Sequence, residues 1–478
     1  MKTSKLYVYV AITVLSLLHT ACIGPANVQQ RNENKTVPTA FANSTDSVSI
    51  AKTKWRNYFT DVNLSALIDS ALQRNQELNI MLQEINMANN EVRARKGAYL
   101  PNLSVGAGAG VDKTGLYTSR GASDAANDIT PNRKVPDALG NFIVGANVSW
   151  EVDIWKKLRN AKKSAVYKYL STIEGRNFMV TNLIAEIANS YYELMALDNQ
   201  LELLNQNIKL YENSLEIVKL EKQAARVTEL AVRRFEAEVL KNQSRRYYIM
   251  QQIVETENRI NFLVGRFPQP VMRSSQTFTA LVPNVITEGV PSQLLDNRPD
   301  IKQASQQMTA AKLDVNIAKA EFYPSLRITA GAGYNAFNVK YLLQTPQSLI
   351  YSLAGDLVAP LLNRNAIKAN YYSANAKQVQ AIYNYERTIL KAHIEVVNQL
   401  SNINNLKASY DLKNKQVQAL TESIDIAGTL FKSARADYME VLLTQRDALE
   451  SRFELIETKK MQMNAVVNVY KALGGGWR

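Results

Sequence analysis

The stretch Leu72–Gly110 aligns without a gap to Leu295–Gly333, at an offset of 223 residues. Matched positions include Ala88/Ala311, Val92/Val315, Lys96/Lys319, Pro101/Pro324, Leu103/Leu326 and Gly108/Gly331. A period this long is not a solenoid repeat. It predicts two structurally equivalent halves, 61–270 and 271–473, so an element found in one must be sought in the other. Each half has the same order. A helix (65–97; 292–320) ends before a proline, Pro101 or Pro324, which cannot sit inside a helix without breaking it. A strand of alternating pattern follows (Leu103–Val111; Leu326–Tyr334), then a polar loop (112–140; 335–347) and a returning strand (Phe142–Trp150; Ser348–Leu357). A very long helical region closes each half.

The strands alternate with period two. In FIVGANVSW, Phe142, Val144, Ala146, Val148 and Trp150 share a face, against Ile143, Gly145, Asn147 and Ser149. In the second half Ile328, Ala330 and Ala332 oppose Arg327, Thr329, Gly331 and Gly333. Nine or ten residues cross a bilayer when tilted. Tyr99, Trp150, Tyr323, Tyr334 and Tyr351 stand at strand ends, where interfacial aromatic girdles sit. Two ordinary soluble hairpins would give the same pattern.

The helical regions are long and nearly free of breakers. No Gly or Pro lies between Gly175 and Gly265, and only Gly428 interrupts the run from Pro360 to Gly474. Apolar residues recur at spacings of three and four: Val180, Ile184, Ile187, Tyr191, Leu194, then Leu201, Leu204, Ile208, Tyr211, Leu215, Val218. That is a heptad-like seam. Lys222–Glu229 and Lys432–Glu440 interrupt it at equivalent places and predict the tips of two helical hairpins. Their ascending arms, 156–224 and 366–430, would each be about 100 Å long at 1.5 Å per residue. A coiled-coil scaffold is the competing reading.

At the N-terminus, Lys2 and Lys5 precede an apolar run from Leu6 to Leu18. Basic, apolar and then small residues make a secretory signal, 1–21; a membrane anchor is the alternative. Cys22, the one cysteine, resembles the acylated residue of a bacterial lipobox, although His19 stands where leucine is usual. Residues 22–60 read as a lipid-anchored tether and 474–478 as a tail. No later stretch approaches eighteen apolar residues, so integration into a membrane would require strands.

Composition excludes several chemistries. One cysteine and two histidines leave no intrachain disulfide and no cysteine- or histidine-built metal centre. Gly106–Thr114 mimics a phosphate loop, but two residues separate Gly110 from Lys113 and no helix follows. Gly331–Ala336 mimics a dinucleotide fingerprint with the same defect. The net charge of +13 invites nucleic acid, yet the densest cluster, Lys156 to Lys163, follows Trp150 and Trp155 at the predicted membrane junction. Lipid headgroups or solvent fit better, and nucleic acid is not expected. His393, on a long helix, reads as structural. No carboxylate pair or triad emerges, so no enzyme, cofactor or metal site is expected.

Four membrane-length strands cannot close a barrel, for which about eight is the minimum. If they span a membrane, several chains must share one barrel, and three would supply twelve strands. The long helices would then ring a water-filled conduit. From Leu64 to Trp477 these residues resemble the TolC-type outer-membrane efflux proteins, in particular the lipid-anchored NodT/OprM-like branch that works with RND pumps. The most specific piece is VPSQLLDNRPDIKQASQQMTAAKLDVNIAKAEFYPSLRITAGAG (290–333). WEVDIWKKLRNA (150–161), YYELMALDNQL (191–201), NRINFLVGRFPQP (258–270) and ALGGGW (472–477) support it.

The resemblance implies a mixed α+β membrane protein. It would be a homotrimer with a shared twelve-strand β-barrel and a periplasmic α-barrel. It would dock to a periplasmic adaptor and an inner-membrane RND-type transporter, and would conduct drugs or other small solutes passively out of the cell. It also implies an iris at the hairpin tips. By position, Thr228 and Glu229 match the first tip's polar pair and Glu440 a constricting acid. Phe431 stands where a tyrosine latches across, without the hydroxyl, and Asp437 lies near a second acid position. A structural outer-membrane lipoprotein without a pore is the alternative function.

Overall fold

The computed structural model describes residues 31–41, 49–283, 287–360, 364–433 and 435–478. The signal segment and Cys22 lie outside them. The chain forms two compact units. One holds residues 87–169 and 306–382, including the main sheet; the other holds 33–86, 170–305 and 383–478.

The first expected helix is two. Helix α1 spans Val62–Arg74 and α2 spans Gln76–Ala98. Asp61 caps α1, its Oδ1 accepting from the Asn63 and Leu64 amides. Asn75 breaks the pair, its Oδ1 accepting from the Leu78 amide at 3.0 Å. An Asx side chain that bonds backbone in this way favours a new helix start over continuation. The corresponding break at Arg298 precedes a helix spanning Pro299–Ala320, where proline is tolerated in the first turn.

Strand β1 (Asn102–Asp112) follows α2. The expected polar loop holds more than a loop. Thr118 caps a short helix, α3 (Ser119–Ala126), and the ribbon β2 (Asp128–Thr130) and β3 (Arg133–Lys134) turns at Asn132 with φ 59°. Strand β4 (Leu139–Val152) returns and leads to α4 (Lys157–Gln223), a helix of 67 residues. Helix α5 (Glu229–Val264) descends. The Pro299–Ala320 helix is α6. It is followed by β5 (Ser325–Ala336), β6 (Leu349–Val358), α7 (Asn365–Lys432) and α8 (Tyr438–Ala472).

The four long strands form one antiparallel sheet in the order β1-β4-β5-β6. Register decides which residues share a face. Val105 pairs with Ala146 and Ala146 with Ala332, which pairs with Tyr351. Leu103 pairs with Val148, Val148 with Ala330 and Ala330 with Leu353. Followed along the ladder, this face is apolar without exception and carries no charge. The opposite face carries Ser104, Asn147, Thr329, Ser352 and many glycines, with Leu139, Ile143, Ile350 and Val358 among them. It is also the concave face, with a hollow lined by Gly106, Asn147, Gly331 and Ser352. At its centre Gly145 is paired with Gly333. A Cβ on Gly333 would lie 2.3 Å from the Val144 carbonyl oxygen, so only glycine allows this curvature.

In the other unit, the apolar seam of α4 is buried. Ile187, Tyr191, Leu194, Leu204 and Tyr211 are fully enclosed. Tyr58 stacks on Tyr470 with ring centres 4.0 Å apart and donates to the Val466 carbonyl at 2.9 Å. Two left-handed glycines close the descending helices. Gly265 (φ 77°) lies against the Arg74 carbonyl and Gly474 (φ 91°) against that of Asn297, so a side chain at either would collide with backbone. The tether packs earlier than expected. Phe41 is fully buried and stacks on His393 at 5.4 Å.

Candidate functional site: a one-sided sheet and two hairpin tips

Among the described residues nothing covers the sheet's apolar face. Tyr351 is 84% exposed, Leu353 79% and Val105 76%. A contiguous apolar surface of this kind marks a partner or a membrane. Among the described residues no helix is long and apolar enough to cross a membrane, and β1 and β6 are unpaired along their outer edges.

The aromatic residues flank this face. At the helix-side end the Trp150 indole N–H donates to the Tyr99 carbonyl at 3.2 Å, and Tyr323 stacks on Trp155 at 4.7 Å. Trp155 also donates to the Pro324 carbonyl at 2.8 Å. Toward the loop end Tyr334 pairs with Leu349, and its hydroxyl accepts from Thr345 Oγ1 at 3.3 Å. The Trp150 row and the Tyr334 row are six residues apart on β5, or about 20 Å along the strand. The junction with α4 is fixed by buried Asp153. It accepts from the Leu158 and Arg159 amides and binds the Arg159 guanidinium at 3.1 Å.

The tips form where the sequence places them. Thr228 and Asp437 are the cap residues of α5 and α8. The two turns close alike: the Arg226 amide donates to the Glu221 carbonyl and the Arg435 amide to that of Leu430, both at 2.9 Å. Val227, Tyr438 and Met439 pack on one apolar cluster, and Arg234 Nη1 lies 3.2 Å from Met439 Sδ. Glu229 is held by Lys222 and by Arg233, the latter at 2.8 Å. The Lys222 hydrogen bond, and then the charges of both cations, keep its carboxyl below the usual glutamate range. Phe431 is half-buried on the last turn of α7, and Glu440 is in the first turn of α8. The Glu440 and Asp437 carboxylates have no ion-pair partner among the described residues. Sequence reading missed the clamp on Glu229. Arg233, four residues on, was a readable pair, but Lys222 is brought in only by the turn.

A family model described as "Outer membrane efflux protein" matches residues 67–266 and 290–475. The chain belongs to this family. Among similar proteins are the pyoverdine export outer membrane protein OpmQ of Pseudomonas aeruginosa and the cation efflux system protein CusC of Escherichia coli. OpmQ is 26% identical over 425 residues, covering 89% of this chain and 88% of that protein. CusC is 24% identical over 424 residues, with the same coverage. The probable outer membrane lipoprotein SilC of Salmonella typhimurium is 24% identical over 447 residues, 92% of this chain and 93% of that one. Of solved structures, a membrane protein from Pseudomonas aeruginosa superposes with a TM-score of 0.84 at 22% identity, covering 94% of this chain and all of that one. The open-state MtrE channel of Neisseria gonorrhoeae gives 0.81 at 23%, covering 95% and 99%. The fold is therefore that of outer-membrane efflux channels. As a member of the efflux family the protein is an outer-membrane channel component, not an enzyme, and the reading as a scaffold without a pore is set aside.

Proposed function

We propose that three copies of this chain form one conduit through the outer membrane, passively conducting small solutes delivered by a periplasmic adaptor and an RND-type inner-membrane transporter. One observation carries the reading: a sheet apolar on its convex face, polar on its concave face and unpaired at both edges. In lipid, each unpaired edge N–H or C=O costs several kcal/mol, so the edges must be sealed. A four-stranded sheet cannot curl shut alone, whereas β1 of one copy against β6 of the next closes twelve strands. The apolar face then meets acyl chains, and Tyr99, Trp150, Tyr323, Tyr334 and Tyr351 supply its interfacial belts.

The division into a signal peptide (1–21), a tether acylated at Cys22, repeats 61–270 and 271–473 and a tail belongs to this reading. The outer membrane lipid holds the anchor. Thr228, Glu229, Phe431, Asp437 and Glu440 line the periplasmic gate. Purified protein in planar bilayers should give discrete current steps and migrate as a heat-sensitive trimer. A monomer soluble without detergent would overturn the reading.

A further inference from the structure

The four strands of the main sheet contain four charged side chains: Asp112, Glu151, Arg327 and Asp356. All lie on the polar face. Asp112 ends β1 at the loop side. The other three form a single cross-strand row, Glu151 opposite Arg327 and Arg327 opposite Asp356. Neighbouring Cα atoms in such a row are about 5 Å apart, so one band of charge crosses β4, β5 and β6 near their helix-side ends. Arg327 and Asp356 are exposed and Glu151 is half-buried. Glu151 and Arg327 also line an open hollow beside Gly97, Pro101 and Asn102.

The row is not a folding device. None of its three members has an ion-pair partner among the described residues. Six of the loop-side charges, by contrast, pair off: Lys113 with Asp137 at 3.1 Å, Lys134 with Asp128 at 3.2 Å and Arg120 with Asp124 at 3.9 Å. Apart from Asp112 at the loop-side end of β1, the rest of the polar face is uncharged, so the charge is concentrated at the helix-side level.

We infer that Glu151, Arg327 and Asp356 form a ring on the lumen wall that sets the ion preference of the open channel, resting on the trimeric reading above. Two carboxylates against one guanidinium leave each copy with an excess negative charge at this level. The ring attracts cations and repels anions, as charged rings do in other pores. Its reach is a Debye length, about 10 Å at 0.1 M salt and 3 Å at 1 M, so the preference is strongest in dilute salt.

The test is the reversal potential of single channels under a KCl gradient. Arg327→Gln should move it toward cations. Glu151→Gln with Asp356→Asn should move it toward anions, and Asn147→Ser on the same face should leave it unchanged. Arg327→Cys reads the same site in channels already assembled: a cationic methanethiosulfonate reagent should return the potential toward wild type, and an anionic one should drive it further toward cations. Trimeric conducting channels whose potential ignores all of these changes would overturn the ring while leaving the channel intact. Absence of any conducting trimer in the unaltered protein would remove the channel reading itself, and the ring with it.

Discussion

Asn75 and Arg298, 223 residues apart in the chain, hold equivalent helix ends. The Asn75 side chain donates to the Leu263 carbonyl near the end of α5, and Arg298 to the Ala472 carbonyl at the end of α8, both at 2.9 Å. The two are not energetically alike. Asn75 is neutral. Arg298 is buried and also binds Asp300 at 2.7 Å and Glu395 at 2.8 Å. Burial alone would disfavour its charge, but the hydrogen bonds and charges of the two acids outweigh that and hold its pKa above the ordinary value. Arg298→Ala leaves the partly buried Asp300 without a cation, Glu395 keeping only Lys391 at 3.8 Å, and should cost about 3 kcal/mol. Asn75→Ala should cost about 1–2 kcal/mol. Denaturant unfolding in detergent compares them, and equal costs would refute the ionic contribution.

At the tips, Glu229→Ala combined with Glu440→Ala should raise single-channel conductance or antibiotic leakage. Lys222→Ala alone should act in the same direction but less, since Arg233 still holds Glu229. Current unchanged in the double variant removes these acids from the gate without removing the channel.

The same clamp has a pH dependence. The Glu229 pKa is lowered in the folded tip, so its contribution is fully present above the ordinary glutamate value of about 4.3. It is lost as pH falls through the lower, folded value. Amide exchange at 222–233 should therefore stay slow from neutral pH down to about 4.3 and become faster only below it, once corrected for intrinsic rates. Loosening already at pH 6 would contradict the pairing.

Gly333→Val places a branched side chain where even a Cβ meets the Val144 carbonyl oxygen at 2.3 Å. The heat-sensitive trimer should be lost. Gly355→Val, where an added Cβ meets nothing within 4 Å, should retain it.

Cys22→Ala should abolish acyl labelling yet leave the protein in the membrane pellet, because the strands hold it there. Release into the soluble fraction would mean that lipid alone is the anchor.

Much of this was legible in the sequence because it depends on local spacing. Period-two patterning located the strands, and the break-free runs with the Val180–Val218 seam located the long helices. Past the leader, no apolar run is long enough for a spanning helix. Two extra features escaped for equally local reasons: the Thr118 cap inside the expected loop, and the side-chain bonds of Asn75 that divide the first helix. What the tertiary structure alone decided was register and reach. Alternation shows that a strand has two faces, but not that four strands bring their apolar faces to the same side, or that Glu151, Arg327 and Asp356 fall in one row. Those facts require pairing between residues up to about two hundred positions apart. The clamp of Lys222 on Glu229 is set by a turn whose left-handed Ala225 (φ 57°) no spacing rule announces. Sequence fixes each segment's own hydrogen bonding and polarity. Which segments then share a face is settled only when backbone groups on distant strands must satisfy one another.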